Sequence, residues 1–206
     1  MRPIERLWKL GLLTPALNAV HMAFATTEDI DLAHRTGISI SLCPQSSLGG
    51  QGRLPPIAAF TASGIRLSVG SGGGTPHQNQ DVWGEMKSLA LAMSSQPLPS
   101  GPDHRAWEAL AIATRGGAAA LGLDTDLGTL EPGKWADLCC VDLGGPATQP
   151  LGDPMKQLVF CGGRDIVSDV WVAGRQLVSE GELTRLNWAA VSERANSWAL
   201  RQKLGG

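Results

Sequence analysis

The sequence predicts an α/β fold, a short parallel sheet carrying helices on its faces, followed by a smaller β-rich region. Three observations predict it. Short apolar runs recur through the first two thirds of the 206 residues, and each gives way to a polar or glycine-rich loop and then to a helical stretch. A glycine closes each helix before the next run, which is the alternation that parallel strands with helical crossovers require. From Gly128 onward the pattern changes to short strands and turns.

The first run is Leu17 to Met22, ending in His21-Met22. Thr26-Thr27-Glu28-Asp29 then offers a helix N-cap with acids in the first turn, and the helix through Ile30, Leu32, Ala33 and Arg35 stops at Gly37. The second run, Ile38 to Leu42, alternates and enters Cys43-Pro44-Gln45-Ser46-Ser47, read as the start of a glycine-rich loop. Pro55-Pro56 opens a helix that ends at Gly64. The third run, Ile65 to Val69, enters Gly70-Ser71-Gly72-Gly73-Gly74-Thr75-Pro76, and helices follow at roughly 81 to 95 and 103 to 121. In the second region, strands are expected at Ala136 to Asp142, Val159 to Cys161 and Val167 to Gly181, with a hairpin turning at Ala173-Gly174 and a last helix at about 188 to 203. The expected domains are 1–127 and 128–206.

Composition narrows the function classes. The 17 basic residues are dispersed and nearly balanced by 19 acidic ones, which argues against nucleic acid as a partner. The seven tryptophans do not alternate with cations, so core or packing-edge roles are expected of them. Four cysteines, Cys43, Cys139, Cys140 and Cys161, lack CxxC spacing, and Cys139-Cys140 reads as a pair of small core residues on a strand. A reducing, cytoplasmic location is the expectation. No apolar run is long enough to span a membrane.

His21 is the main chemical candidate, because it lies at a strand end, where parallel sheets place functional loops, and an imidazole there can move a proton or polarise an oxygen. A buried, hydrogen-bonded histidine is the structural alternative. The glycine run at 70–74 permits a phosphate-binding loop but lacks both the GK[ST] ending and GxGxxG spacing, so a tight strand-to-helix turn is the better account. Cys43 has no evident histidine partner for nucleophilic work. Asp81, Glu85 and Lys87 read as a solvated helix start, with substrate contact as the alternative. His77, on the glycine-rich loop, is a further metal candidate.

Taken in order, Leu13-Thr14-Pro15 with Ala19-Val20-His21-Met22, Cys43-Pro44-Gln45-Ser46-Ser47, Asp81 to Met86, Glu108-Ala109-Leu110, Ala118 to Leu123, Gly128 to Leu138 and Asp169 to Arg175 resemble the metal-dependent amidohydrolases. The branch resembled is that of chlorohydrolases and aminohydrolases acting on triazines, S-adenosylhomocysteine and methylthioadenosine, formimidoylglutamate and guanine. The segment Gly128-Thr129-Leu130-Glu131-Pro132-Gly133-Lys134-Trp135-Ala136-Asp137-Leu138 is the most specific part. The resemblance implies that the three strands are the last three units of a (β/α)8 TIM barrel, and that the tail is part of a small β-rich sandwich.

The same resemblance implies a depleted site. His21 matches the family histidine that assists the attacking water or the leaving group. Gly72 stands where the family has a metal-contacting aspartate, Leu42 and Ser47 stand at the histidine and asparagine of its HCPxSN segment, and His77 falls where many relatives have asparagine. The other metal ligands of intact relatives, which hold zinc or iron, belong to a preceding half. The expectation is therefore a truncated or degenerate amidohydrolase-like protein, inactive alone and without a cofactor, since a catalytic zinc ordinarily needs three protein ligands. Two alternatives stand beside it: an active hydrolase completed by a complementing barrel chain, and a structural module forming a homo-oligomer through its sheet edges.

Overall fold

The computed structural model describes residues 1–73 and 80–204, which fall into two compact units. The first comprises Met1–Lys134 and Leu143–Arg164, and the second Trp135–Asp142 with Asp165–Gly206. The fold is α/β. Its first unit holds a three-stranded parallel sheet in the order β1 (Asn18–Val20), β2 (Ser39–Leu42) and β3 (Arg66–Val69). Three strands do not close a barrel.

Before the sheet comes α1 (Pro3–Lys9), whose Pro3 sits at the first helical position, where no N–H is needed. The crossover from β1 to β2 is α2 (Thr27–Thr36), set by a full capping box. Thr26 Oγ1 accepts from the Asp29 N–H, and Asp29 Oδ2 accepts from the Thr26 N–H at 3.1 Å. Arg2 adds an ion pair to Asp29 at 2.9 Å. Thr26→Ala should therefore cost about 0.5–2 kcal/mol, read as a lower urea midpoint at unchanged m-value.

After β2 the chain makes a helix where the sequence suggested a loop. This is α3 (Pro44–Gln51), which is poor in intrinsic propensity because Gly49 and Gly50 lie inside it. The next helix, α4 (Ile57–Ala62), leads into β3. Beyond the glycine-rich segment run α5 (Val82–Ser94) and α6 (Arg105–Ala111); α6 continues through a π-helical turn, Ile112–Gly116, into α7 (Gly117–Leu121). That turn lies close against β3. A Cβ on Gly116 would fall 2.3 Å from the Leu67 carbonyl oxygen, so only glycine permits the approach.

Strand alternation sorts the two faces of the sheet. Ile40 and Leu42 of β2 and Leu67 of β3 enter a core with Ile57, Phe60, Leu89 and Met93. The opposite face is polar: Ser41 Oγ lies 2.8 Å from Ser68 Oγ and accepts from Asn18 Nδ2 at 2.8 Å. At the lower end of the sheet the Arg66 guanidinium donates to the carbonyls of Pro15, Gly37 and Ala119.

The stretch expected as a strand at Val159–Cys161 is helical. Asp153 Oδ1 accepts from the Met155 and Lys156 amides to start α8 (Pro154–Lys156), which runs on as a π turn through Cys161. A local cap decided there over an apolar run that fits either element.

In the second unit, β4 (Leu138–Val141), β5 (Val167–Val172), β6 (Arg175–Ser179) and β7 (Glu182–Leu183) form an antiparallel sheet in that order, and α9 (Trp188–Leu204) follows. The β5–β6 hairpin turns at Ala173-Gly174, both left-handed, and Asp137 Oδ1 accepts the Ala173 N–H at 2.6 Å. Cys139 and Cys140 lie on β4 as expected, but both are exposed rather than in a core. Trp8, Trp107, Trp135, Trp188 and Trp198 are likewise exposed, so of the core or packing-edge roles expected of the tryptophans, these five do not take the core one. Among the described residues no helix is long and apolar enough to cross a membrane.

Candidate functional site

Three loops leave the C-terminal ends of the three parallel strands, and their first residues meet. His21 follows β1 directly, and its amide donates to the Ser41 carbonyl at 3.1 Å, extending the ladder by one step. His21 and Met22 then turn left-handed, at φ 69° and 56°. Non-glycine residues held there cost of order 1–3 kcal/mol each, and such strain gathers at functional sites. The turn brings His21 Nδ1 within 3.2 Å of the Ser47 hydroxyl on α3. Ser47 is buried and His21 half-buried.

The loop after β3 closes on the same pair. The Gly70 amide donates to the Leu42 carbonyl at 2.9 Å, and Gly72 is left-handed at φ 73°. A Cβ built on Gly72 would lie 2.6 Å from Ser46 Oγ, 2.8 Å from Ser46 Cβ and 3.0 Å from His21 Cε1. Position 72 therefore lacks a carboxylate and also the space to hold one in this backbone. The Gly70 amide is spent on the Leu42 carbonyl and is therefore not offered to an anion. His77 lies outside the described residues.

Cys43 is fully buried beneath these loops. Burial pushes its thiol up to about 11, and the Glu85 charge pushes the same way. A neutral, enclosed thiol is no nucleophile.

Glu85 is the residue that the sequence misplaced. It is not on a solvated helix start but buried, 3% exposed, with Oε2 accepting the Gln45 N–H at 2.9 Å and the Ser46 amide bonding to it as well. Burial holds its carboxyl above the usual carboxylate range, the two amides pull it back, and the Asp81 charge adds to the rise. Asp81 itself caps α5 by accepting the Trp83 N–H at 3.0 Å.

Among the described residues no group of three or more His, Cys, Asp or Glu side chains could hold a metal ion. The donor set of one imidazole flanked by hydroxyls does not fit a catalytic zinc.

Residues 1–177 match the Amidohydrolase family. The chain belongs to the amidohydrolase family. It is 38% identical, over 99% of its length, to the 5-methylthioadenosine/S-adenosylhomocysteine deaminase of Teredinibacter turnerae, of which it spans 46%. Its fold superposes with a TM-score of 0.92 and 35% identity on an adenosine deaminase from Xanthomonas campestris with bound zinc, covering 99% of this chain and 46% of that one. An atrazine chlorohydrolase from Arthrobacter aurescens TC1 complexed with zinc superposes at 0.84 with 28% identity, over 96% of this chain and 44% of its own. This amidohydrolase chain thus spans about half the length of the relatives it matches, several of which are deaminases.

Proposed function

We propose that this chain is a degenerate amidohydrolase half. In this reading residues 1–127 correspond to the last three strand–helix units of a TIM barrel and residues 128–206 to a β-rich sandwich portion. The ancestry is that of hydrolases acting on C–N or C–Cl bonds of aminopurine or triazine rings, and the chain alone does not perform the reaction. The observation that carries this is Gly72, packed against Ser46 and His21 where a metal-contacting carboxylate is expected by resemblance. His21 remains able to exchange a proton, oriented by the Ser47 hydroxyl, but a lone imidazole neither holds zinc nor generates a hydroxide at neutral pH.

The test is ammonia release from 5′-methylthioadenosine and S-adenosylhomocysteine, with zinc content measured on the same preparation. The expected result is no stoichiometric zinc and no release above the uncatalysed rate. One zinc per chain retained through gel filtration, together with turnover abolished by His21→Gln, would overturn the proposal.

A second reading is favoured by the edges of the parallel sheet, β1 and β3, each of which pairs only with β2 among the described residues and leaves its outer side open. A preceding barrel half supplied by another chain would cover them, and a second copy of this chain is the other occupant. Sedimentation of the chain with and without the first half of a relative separates these. Zinc and turnover appearing only in the mixture would support completion, whereas a stable oligomer of the chain alone would support self-association.

A further inference from the structure

The loops that surround His21 are tied to one buried acid that the proposed function leaves without a role. Glu85 sits on α5, forty positions beyond Gln45, yet its carboxylate receives the first amides of α3, Gln45 at 2.9 Å and Ser46 beside it. The helix has little else to fix its start. Cys43, its N-cap residue, makes no side-chain cap, and its glycines lower its own propensity. A second bond, Gln45 Nε2 to Ser88 Oγ at 3.1 Å, joins the same two helices.

What α3 presents from that first turn is the site. Ser46 fills the space beside Gly72, and Ser47 faces His21 Nδ1. We propose that Glu85 is the positioning residue of this site: by anchoring the α3 N-terminus it sets the rotamer and hydrogen bonding of His21 through Ser47, and holds Ser46 against Gly72. It touches neither His21 nor any reacting atom and acts only through α3. The assignment goes beyond the proposed function and holds whether or not the chain turns over a substrate.

Imidazole NMR of the full chain tests it, with His21 resonances assigned by loss in His21→Gln. Glu85→Ala should move the His21 Cε1 and Nδ1 shifts and its titration midpoint toward those of Ser47→Ala. Glu85→Gln, which keeps an oxygen for the amides, should retain the wild-type values. If Glu85→Ala folds and its His21 signals and titration match wild type, the proposal is overturned, because a merely structural acid would lower stability and leave them in place. Glu85→Asp, which keeps the charge but withdraws it by one methylene, is the second variant.

The wild-type chain also gives an answer that no variant's folding can spoil. As the Glu85 carboxyl titrates, the amide shifts of Gln45 and Ser46 should follow its midpoint, and those of Ser47 and Gly72 should follow with them. Asp81 and Cys43, the other titratable groups acting on Glu85 or acted on by it, are monitored in parallel. Gln45 and Ser46 responding while Ser47 and Gly72 stay still would confine Glu85 to a local cap and overturn the assignment.

Discussion

Replacing Gly72 with alanine or aspartate should destabilise the chain by about 2–5 kcal/mol, and the aspartate should not bring zinc with it. Two costs add. A side chain at φ 73° is sterically disfavoured by about 1–2 kcal/mol, somewhat less for aspartate than for alanine. Its Cβ must also displace Ser46, and overpacking of that kind costs about 1–3 kcal/mol. Rotation of the Ser46 hydroxyl relieves the 2.6 Å contact but not the 2.8 Å contact to its Cβ, which belongs to a helix start fixed by Glu85. Ser46→Gly should therefore remove most of the overlap, so that Gly72→Ala costs less in the Ser46→Gly background than in wild type. Urea unfolding of the four proteins in this cycle measures the coupling. Titration calorimetry of Gly72→Asp with zinc then asks whether a restored carboxylate suffices. An undiminished midpoint together with stoichiometric zinc would show that the loop opens freely and that the missing ligand was the only obstacle.

The contrast between Gly72 and Glu85 shows how far the sequence could be read. The strand-and-helix alternation, the Thr26 cap, the Ala173-Gly174 turn and the position of His21 at a strand end all follow from signals within a few residues of each other, and the structure has each of them. The Gly128–Leu138 segment and its companions pointed to the amidohydrolase family, to which the chain belongs. What escaped was decided by distant partners. Pro44 to Gln51 reads as loop because its glycines and serines favour one, and it is helical because an acid on α5 accepts its first amides. Glu85 reads as solvated because it lies four residues after Asp81 near a helix start, where acids are ordinary, and nothing local announces that it faces α3. Likewise, nothing local to Cys139-Cys140, which point to opposite faces of β4, could say that both would be exposed. One signal was available for α3, the Cys-Pro step, since proline is favoured at the first position of a helix.

Glu85→Ala should cost about 1–3 kcal/mol, because it strips the part-buried Gln45 amide of a charged acceptor and leaves the α3 start without its anchor. Glu85→Gln should cost much less at neutral pH, and its comparison with wild type carries a signature in pH. Burial raises the folded-state Glu85 carboxyl above its ordinary value of 4.5, so the native chain holds a proton that the unfolded chain has released. Stability from this group is then fully present below 4.5 and is lost as pH rises through the raised folded-state value. Because every other carboxylate is common to both proteins, the difference in unfolding free energy, wild type minus Glu85→Gln, isolates the effect. That difference should be largest below 4.5, fall as pH rises, and level off once the native carboxylate is ionised. Urea unfolding at a series of pH values measures it. A difference that rises with pH would mean that the Gln45 and Ser46 amides outweigh burial and hold the carboxyl below its ordinary range, making Glu85 a stabilising anion rather than a desolvated one kept for the position it imposes on α3.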